Sequence, residues 1–527
     1  MLLKFLCFVN LLMQFIQGKN REQSILFPQS LDQIIAPDNE VRIIDLFAES
    51  IQLEDFKFIT KTSKEGRPAY HPKDLLKLFV YGYLNHIRSS RLLEKECKRN
   101  IELMWLMKQL APDHNTISNF RRDNEKAIRK VFRHTVSIAK HFDLIGGTLV
   151  AGDSTKLRAQ NSKKNNFNEG KVERHLAYID ARLDEYNKAL AEADEENKGI
   201  IEEEIKKQND RKGNYENMDR QLTNSGEPQI STSDPDSRQM MTRNNISEVA
   251  YNVQTVVDAK HYLPIDYKVT NTNDSKAMSG MLRRAKTILK TKGFTALYDK
   301  GYHTGSEIKK ALELNVEIMV AIPAVGAVAP DENYNFVHFK YDEATDTYTC
   351  PQHQVLTSNG NWYQKNKERY FYLSKHYKTP ACINCAARTL CTKNQKGRVI
   401  ERSEYAPYME INKCNIEANP ETYKKRQAIV EHPYGTIKRQ WGFYYIITKR
   451  GLKRASADVG FMFVAYNLRR LINIIDKNML TKFLRELVVL FFHKVGSLNA
   501  LRTFLCLPIL AVVNNRDFMP TFKMAVI

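Results

Sequence analysis

Two short apolar runs of this 527-residue chain each end in a lone carboxylate. Leu149-Val150-Ala151-Gly152 leads into Asp153-Ser154-Thr155-Lys156, and Phe294-Thr295-Ala296-Leu297-Tyr298 leads into Asp299-Lys300-Gly301-Tyr302. A third acid, Glu431, lies in a helix-like segment with Tyr423, Arg426 and Lys438. Cleaving a phosphodiester needs an in-line nucleophile, a stabilised leaving oxygen and cancellation of phosphate charge. Two Mg²⁺ (or Mn²⁺) ions about 4 Å apart meet all three needs, and hard divalent cations prefer carboxylate oxygens. An aspartate at the end of a buried strand suits that task, because its backbone is fixed while its side chain leaves the sheet's edge. A single strand-end Asp is more often a turn or cap residue; two at matching places in one fold order weigh the other way. Asp153, Asp299 and Glu431 are therefore the candidate metal-holding and catalytic set, and the chemistry is metal-dependent phosphoryl transfer on nucleic acid.

The charge balance agrees with such a substrate. Lys and Arg number 80 against 60 Asp and Glu, a net charge of +20, and the pI is about 9.4. A polyanion gains affinity from such a surface through counterion release. Eight cysteines are too few for a disulfide scaffold. Four of them, Cys350, Cys382, Cys385 and Cys391, fall in one window with a Cys-x2-Cys pair, which fits a tetrahedral Zn²⁺ site of four thiolates. Free thiols fit the same spacing, and His353, His376 and Cys414 are substitute ligands. The apolar run Met1 to Ile16 lacks a small-x-small cleavage site and is short for a membrane span. Residues 1–19 read as an upstream extension of the reading frame or a short buried helix. The apolar runs Leu487 to Phe492 and Phe504 to Val513 are also too short to span. No membrane partner is expected, and the location expected is cytoplasmic, at the nucleoid.

The elements that must position these residues follow from periodicity. Residues 20–145 read as an all-helical domain, with Pro72 in a first turn, a cap at Ser89-Ser90, and Asp113 capping a helix that continues through Ile117, Phe120, Ile128 and Phe132. That helix also carries Arg121, Arg122, Lys126, Arg129, Lys130 and Arg133. A basic helix behind short turns fits a helix-turn-helix reading head, with Arg121 and Arg122 as DNA contacts; a bundle whose charges only face water would look the same. Residues 146–475 form the second domain. The strand of Asp153 comes first, then an insertion over 165–240 with a helical seam of Val172, Leu176, Ile179, Leu183, Tyr186 and Leu190. A hairpin of Val249 to Val257 and Leu263 to Val269 follows, then a helix over about 275–291, the strand of Asp299, a helix opened by the capping box Thr304-Gly305-Ser306-Glu307, and a strand from Val316 to Ile322. Three strands followed by alternating helix and strand is the order of an RNase-H-like α/β core with a mixed sheet. A cysteine-containing insertion over 325–405 interrupts it. Ala455 to Ile475 is an apolar helix expected to pack on the sheet, and 476–527 is a helical tail.

At these residues the chain resembles the bacterial insertion-sequence DDE transposases with an RNase-H-like core, over roughly 25–475. Asp153 in Ala151-Gly152-Asp153-Ser154-Thr155 is similar to that family's first acid. Asp299 in Tyr298-Asp299-Lys300-Gly301-Tyr302 is similar to its second, usually Asp-x-Gly-Tyr. Glu431 is similar to its third, in the Tyr-x2-Arg-x3-Glu-x6-Lys signature of one branch. Tyr423-x2-Arg426 and Glu431-x6-Lys438 keep that spacing, but four residues separate Arg426 from Glu431, a turn of about 100° around a helix. Glu431 and Lys438, seven residues apart, are expected on one face, with Pro433 and Gly435 able to kink the helix between them. The resemblance implies a transposase that binds the terminal inverted repeats of its element. Two Mg²⁺ would be held by Asp153, Asp299 and Glu431, with Tyr423, Arg426 and Lys438 at the DNA near the cut. It implies end hydrolysis, attack of the freed 3′-hydroxyl on target DNA, and a homodimer handling two ends. The alternatives are a catalytically degenerate DNA-binding copy, a nuclease that does not join strands, and a basic protein anchored to a membrane by Met1 to Ile16.

Overall fold

The structure is a computed structural model that describes residues 30–59, 68–242, 246–324, 329–367 and 370–489. The extension 1–19 and the apolar run Phe504 to Val513 lie outside the described residues. Helices come first: α1 (Leu31–Ile34), α2 (Glu40–Glu49), α3 (Leu53–Phe56), α4 (Pro72–Leu84), α5 (Ser90–Cys97), α6 (Ile101–Leu106), α7 (His114–Asp123) and α8 (Glu125–His141). Pro72 occupies the first turn of α4, where its missing N–H costs nothing. Asp113 caps α7 by accepting from the N–H groups of Asn115 and Thr116. The single helix expected beyond Asp113 is two. Asn124 ends the first, its amide donating to the Phe120 carbonyl while its oxygen accepts from the Ile59 N–H.

The central sheet is built from β1 (Leu149–Arg158), β4 (Arg238–Met241), β5 (Ser247–Asp258), β6 (Pro264–Thr270), β7 (Thr295–Tyr298) and β8 (Glu317–Val320). β5 runs antiparallel to β1 and β6 antiparallel to β5, while β7 and β8 are parallel to β1. The order β6-β5-β1-β7-β8, with β4 along the first residues of β5, is the RNase-H-like arrangement expected from the chain order. The parallel crossovers are made by α11 (Met278–Leu289) and α12 (Gly305–Glu313). The expected capping box of α12 does not close. Thr304 makes no side-chain cap bond, and Glu307 instead accepts from the Ser279 N–H at the start of α11.

After the second insertion come α14 (Ala406–Ala418), α15 (Pro420–Tyr434) and α16 (Leu452–Ile474). One face of the sheet, with Ala151, Val257, Leu297 and Met319, packs on Ile429 and Val430 of α15. The other face, with Val150, Ala296 and Ile318, belongs to the main core. That core runs unbroken into the N-terminal helices, because α16 is apolar nearly all round and is wrapped by both. Phe79 of α4 stacks on Phe461 of α16 with centroids 4.8 Å apart. The boundary near residue 145 is thus one of sequence pattern, with no gap in the packing behind it.

The first insertion is a helical hairpin, α9 (Glu169–Glu192) and α10 (Glu195–Ser225), flanked by the short strands β2 (Asn166–Phe167) and β3 (Ile230–Ser231). Phe167, Val172 and Leu222 form a small separate core at its base. The second insertion holds a sheet that the polar, aromatic sequence did not reveal. Its strands are β9 (Lys340–Asp342), β10 (Thr347–Thr349), β11 (Val355–Ser358), β12 (Tyr363–Lys367), β13 (Tyr370–Lys378) and β14 (Ile400–Ser403), with the one-turn helix α13 (Arg388–Cys391) between the last two. They enclose a core of Phe339, Tyr348, Leu356, Tyr377 and Ile400. Among the described residues no helix is long and apolar enough to cross a membrane.

Candidate active site

Strand register brings the two aspartates together. Leu149, Val150 and Ala151 of β1 pair in parallel with Thr295, Ala296 and Leu297 of β7. Two residues further along that register stand Asp153 and Asp299. Side chains alternate across a strand, which sets both acids on the face of Ala151 and Leu297, and Asp299 is near enough to add to the rise in the Asp153 pKa. Gly152, between them on the opposite face, leaves room for the ring of Tyr298; a Cβ there would come within 2.1 Å of that ring. Asp299 caps the turn that follows β7 by accepting from the Gly301 N–H at 2.9 Å.

Asp153 is the most perturbed of the acids. Burial raises its pKa from 3.8 to about 6. The N–H of Ser154, donating to Oδ1 at 2.7 Å, and the Arg426 guanidinium pull the other way, while Asp299 and Asp274 add to the rise. Arg426 Nη1 lies 3.4 Å from Asp153 Oδ2. A carboxylate that neighbours and burial oppose is one that a cation would stabilise strongly.

The α15 helix lies over this pair. Tyr423 donates its hydroxyl to the Tyr298 carbonyl at 3.0 Å, and Tyr434 donates to the Asp153 carbonyl at 3.2 Å. Beyond Pro433 the helix widens into a π turn over Gly435–Gln440. There Lys438 Nζ donates to Thr155 Oγ1 at 3.0 Å. Arg426, Tyr434 and Lys438 thus all reach β1. Glu431 does not share their direction. It is exposed and accepts from Gln427 at 3.2 Å. The extra residue after Arg426 separates the two directions, and the π turn shifts the phase of Lys438 relative to Glu431. Sequence spacing assigned the rotation to Arg426; in the fold it is Glu431 that faces outward.

A fourth acid, Asp274, was not among the candidates read from the sequence. Its Oδ1 accepts from Asn252 at 2.7 Å and Gln254 at 2.6 Å, and its Oδ2 pairs with Lys156 at 3.3 Å. Burial opposes its ionisation, but those hydrogen bonds, Lys156 and Ser154 hold its pKa below the usual value. A Cβ on Gly301 would sit 3.1 Å from Asp299 Oδ1 and 3.8 Å from Asp274 Oδ2, so the turn of Asp299 lies against both carboxylates. Gln254 also accepts from the Tyr302 hydroxyl at 2.6 Å. The run Asn271-Thr272-Asn273-Asp274 resembles any polar turn, and no sequence signal ties it to the site.

Arg121 has a different place from the one expected of a DNA contact. It is 4% exposed, donates to the Tyr83 hydroxyl and the Arg88 carbonyl, both at 3.0 Å, and faces buried Asp458 of α16. Tyr83 also donates to Asp458, and Arg88 lies 3.5 Å from it. The guanidinium is a joint between α7 and α16, out of reach of a phosphate. Helical phase explains the correction, since Arg121 follows Phe120 on the inward side. Arg122 is part exposed and paired with the adjacent Asp123. Cys350, Cys382, Cys385 and Cys391 line one small cavity. Burial, with the other three thiols adding, raises the Cys391 pKa against the pull of Arg398. Among the described residues no three His, Cys, Asp or Glu side chains stand close enough, as placed, to hold a metal ion.

An RNase-H-like sheet with aspartates in register on its central parallel pair, under a helix that carries a further acid, is the frame of the DDE enzymes. Residues 29–123 match the model described as Transposase domain (DUF772), and residues 349–472 match the model described as Transposase DDE domain. Both models describe transposase domains, the second a DDE domain. None of the curated proteins matches it. Among solved structures it is similar to the piggyBac transposase in a cryo-EM synaptic complex with hairpin DNA, at 10% identity over 85% of this chain and 79% of that one. The TM-score of that match is 0.29.

Proposed function

We propose that the protein binds the inverted-repeat ends of an insertion sequence and cuts and joins DNA there with divalent metal ions. The observation that carries this reading is the shared register of Asp153 and Asp299 on the face covered by α15. Hard carboxylate oxygens one strand apart, one of them with its pKa raised to about 6, suit Mg²⁺ or Mn²⁺. Asp153 and Asp299 would hold two such ions, and Glu431 would join them by turning inward. When bound, the ions supply an activated water or 3′-hydroxyl and a counter-charge for the leaving oxygen. Arg426 meanwhile neutralises Asp153, and it is placed to pass to a DNA phosphate when the carboxylate is taken up. Lys438, fixed on Thr155, sets a positive charge beside the same strand end, and Tyr423 anchors the helix to β7. Part-exposed Arg122 is the cation of α7 that remains available to DNA. Two ends must be cut for one element to move, so a homodimer acting on both ends and on target DNA at the nucleoid is part of the proposal.

Cys350, Cys382, Cys385 and Cys391 would hold a structural Zn²⁺. Four soft thiols lining one cavity are a fitting donor set, and Cys350 already accepts the Gln354 N–H at 3.3 Å. Metal analysis of purified protein tests it, with about one equivalent expected and none after Cys382→Ser/Cys385→Ser.

One observation favours a second reading, a copy that binds DNA without cutting: Glu431 stands outside the aspartate pair. A cleavage and strand-transfer assay on end-containing DNA with Mg²⁺ or EDTA separates the two. Metal-dependent nicks and joined products from the wild type, absent from Asp153→Ala, would support the enzyme. Nicks without joined products would favour a plain nuclease, and tight binding without any product would favour the inactive copy.

A further inference from the structure

Between Glu431 and Asp458 the chain has six Lys or Arg residues and no acid. This stretch leaves the π turn after Lys438, passes through Trp441-Gly442-Phe443-Tyr444-Tyr445-Ile446 and returns at α16. Phe443 and Ile446 are buried at 2% and 0%, while Tyr444 and Tyr445 between them are 48% and 41% exposed. The loop extends β1. Arg158 N–H donates to the Tyr444 carbonyl at 3.1 Å, and Ile446 N–H donates to the Arg158 carbonyl at 2.8 Å. The tyrosines therefore stand at the far end of the strand that bears Asp153. The loop is held in shape as well. Gly442 and Gly451 take positive φ of 71° and 93°. Asp234 accepts from the Gly451 N–H at 2.9 Å, and Asp236 accepts from the Leu452 N–H at 2.8 Å. Arg88 fixes Tyr445, donating to its carbonyl at 2.8 Å with the guanidinium 4.7 Å from the ring centre.

We propose that Tyr444 and Tyr445 form a stacking platform for an unpaired DNA base, with exposed Arg439, Lys449, Arg450 and Lys453 holding the adjoining phosphates. The inference rests on the DNA-transposase reading above. Anchored but exposed aromatic rings within an acid-free basic loop match the two halves of a nucleotide, the apolar base face and the charged backbone. Every base has a π face, so the platform acts without regard to sequence. Arg158 is five residues beyond Asp153, roughly 17 Å of strand, which is the rise of about five nucleotides. The platform takes a base displaced from the duplex that distance from the cut.

The test is a fluorescence titration of the full chain with a short single-stranded oligonucleotide carrying one 2-aminopurine. Wild type and Tyr444→Phe should bind and quench the probe. Tyr444→Ala should lose the quench and bind roughly 5- to 100-fold more weakly, with an unchanged melting temperature because the ring is half exposed. Lys449→Ala/Arg450→Ala should weaken binding with a reduced salt dependence but keep the quench at saturation. A Tyr444→Ala protein that binds and quenches like wild type overturns the platform, as does a wild type that never quenches. Cutting of end DNA is scored in parallel. Quenching by a wild type that cannot cut would leave the platform standing and remove the enzymatic reading. Wild-type cutting with a Tyr444→Ala variant that quenches normally would do the reverse.

Discussion

Replacing Asp153 by Asn should stabilise the metal-free protein at neutral pH, although it removes a carboxylate proposed to hold metal. Burial raises the carboxyl pKa from 3.8 to about 6, the nearby Asp299 and Asp274 add to the rise, and Arg426 at 3.4 Å only partly offsets it. An acid whose pKa is raised by folding stabilises the fold while protonated in both states, below the unfolded value near 3.8. That contribution is lost as pH rises toward 6, and above it the ionised group opposes folding. Two pKa units correspond to about 3 kcal/mol. A quarter of the side chain is exposed, so an effect of about 1–3 kcal/mol is expected. Asn keeps the shape and removes the charge. In EDTA at pH 7.5 the variant should therefore melt roughly 2–5 °C above wild type, and the gap should close as pH falls from 6 to 4. Differencing against wild type at each pH cancels the other titrating groups. Mg²⁺ should raise the melting point of wild type and leave the variant nearly unmoved. A variant that melts below wild type at pH 7.5, or a gap that does not change with pH, would refute the reasoning.

Glu431→Gln should leave the metal-free melting point unchanged, because the side chain is exposed. It should reduce end cleavage by more than the roughly 10- to 100-fold expected of a residue that merely orients a metal ligand, and cutting at the wild-type rate would remove Glu431 from the site. Arg426→Ala breaks a part-exposed ion pair worth about 1 kcal/mol or less. Calorimetry without DNA should show Mg²⁺ binding up to about 5-fold tighter, and weaker binding would mean that the pair assists the metal. Arg121→Ala leaves Asp458 buried and short of a partner, and denaturant unfolding should show a loss of about 3–5 kcal/mol; a stable variant defective only in DNA binding would restore Arg121 to the DNA surface. Gly152→Ala drives a Cβ into the Tyr298 ring, so soluble yield should collapse, and an unaffected yield would show that the ring can move.

The sequence exposed the parts of the site that local chemistry marks. An apolar run ending in Asp is visible at Asp153 and at Asp299, and the strand order around them follows from period-two patterning and turn residues. The pairing itself was not visible. That Ala151 meets Leu297, and so Asp153 meets Asp299, is a register between strands more than a hundred residues apart. Asp274 was missed for the same reason, since it joins the site through Lys156, Asn252 and Gln254, which are distant in sequence. Arg121 was misplaced because a basic residue on a predicted helix reads as solvent-facing, while its partner Asp458 lies on α16 at the other end of the chain. The sheet of the second insertion escaped notice because its strands are short and polar, organised around tyrosines. The phase of Lys438 relative to Glu431 depends on a π turn beyond Pro433, which helical periodicity does not encode.

The unbroken packing of the N-terminal helices on α16 has a consequence for redirecting this enzyme. A reading head on a flexible tether can be exchanged as a cassette, with the linker absorbing any mismatch. Here the described helices before residue 145 share one core with α16. Phe79 rests on Phe461, and the Tyr83, Arg88 and Arg121 cluster is completed by Asp458. A transplanted head would have to bring the matching side of α16 with it. If these helices address DNA, as proposed, changes to the DNA addressed are better sought among their outward residues than by exchanging the segment, and any head that does fit inherits a fixed offset to the carboxylates.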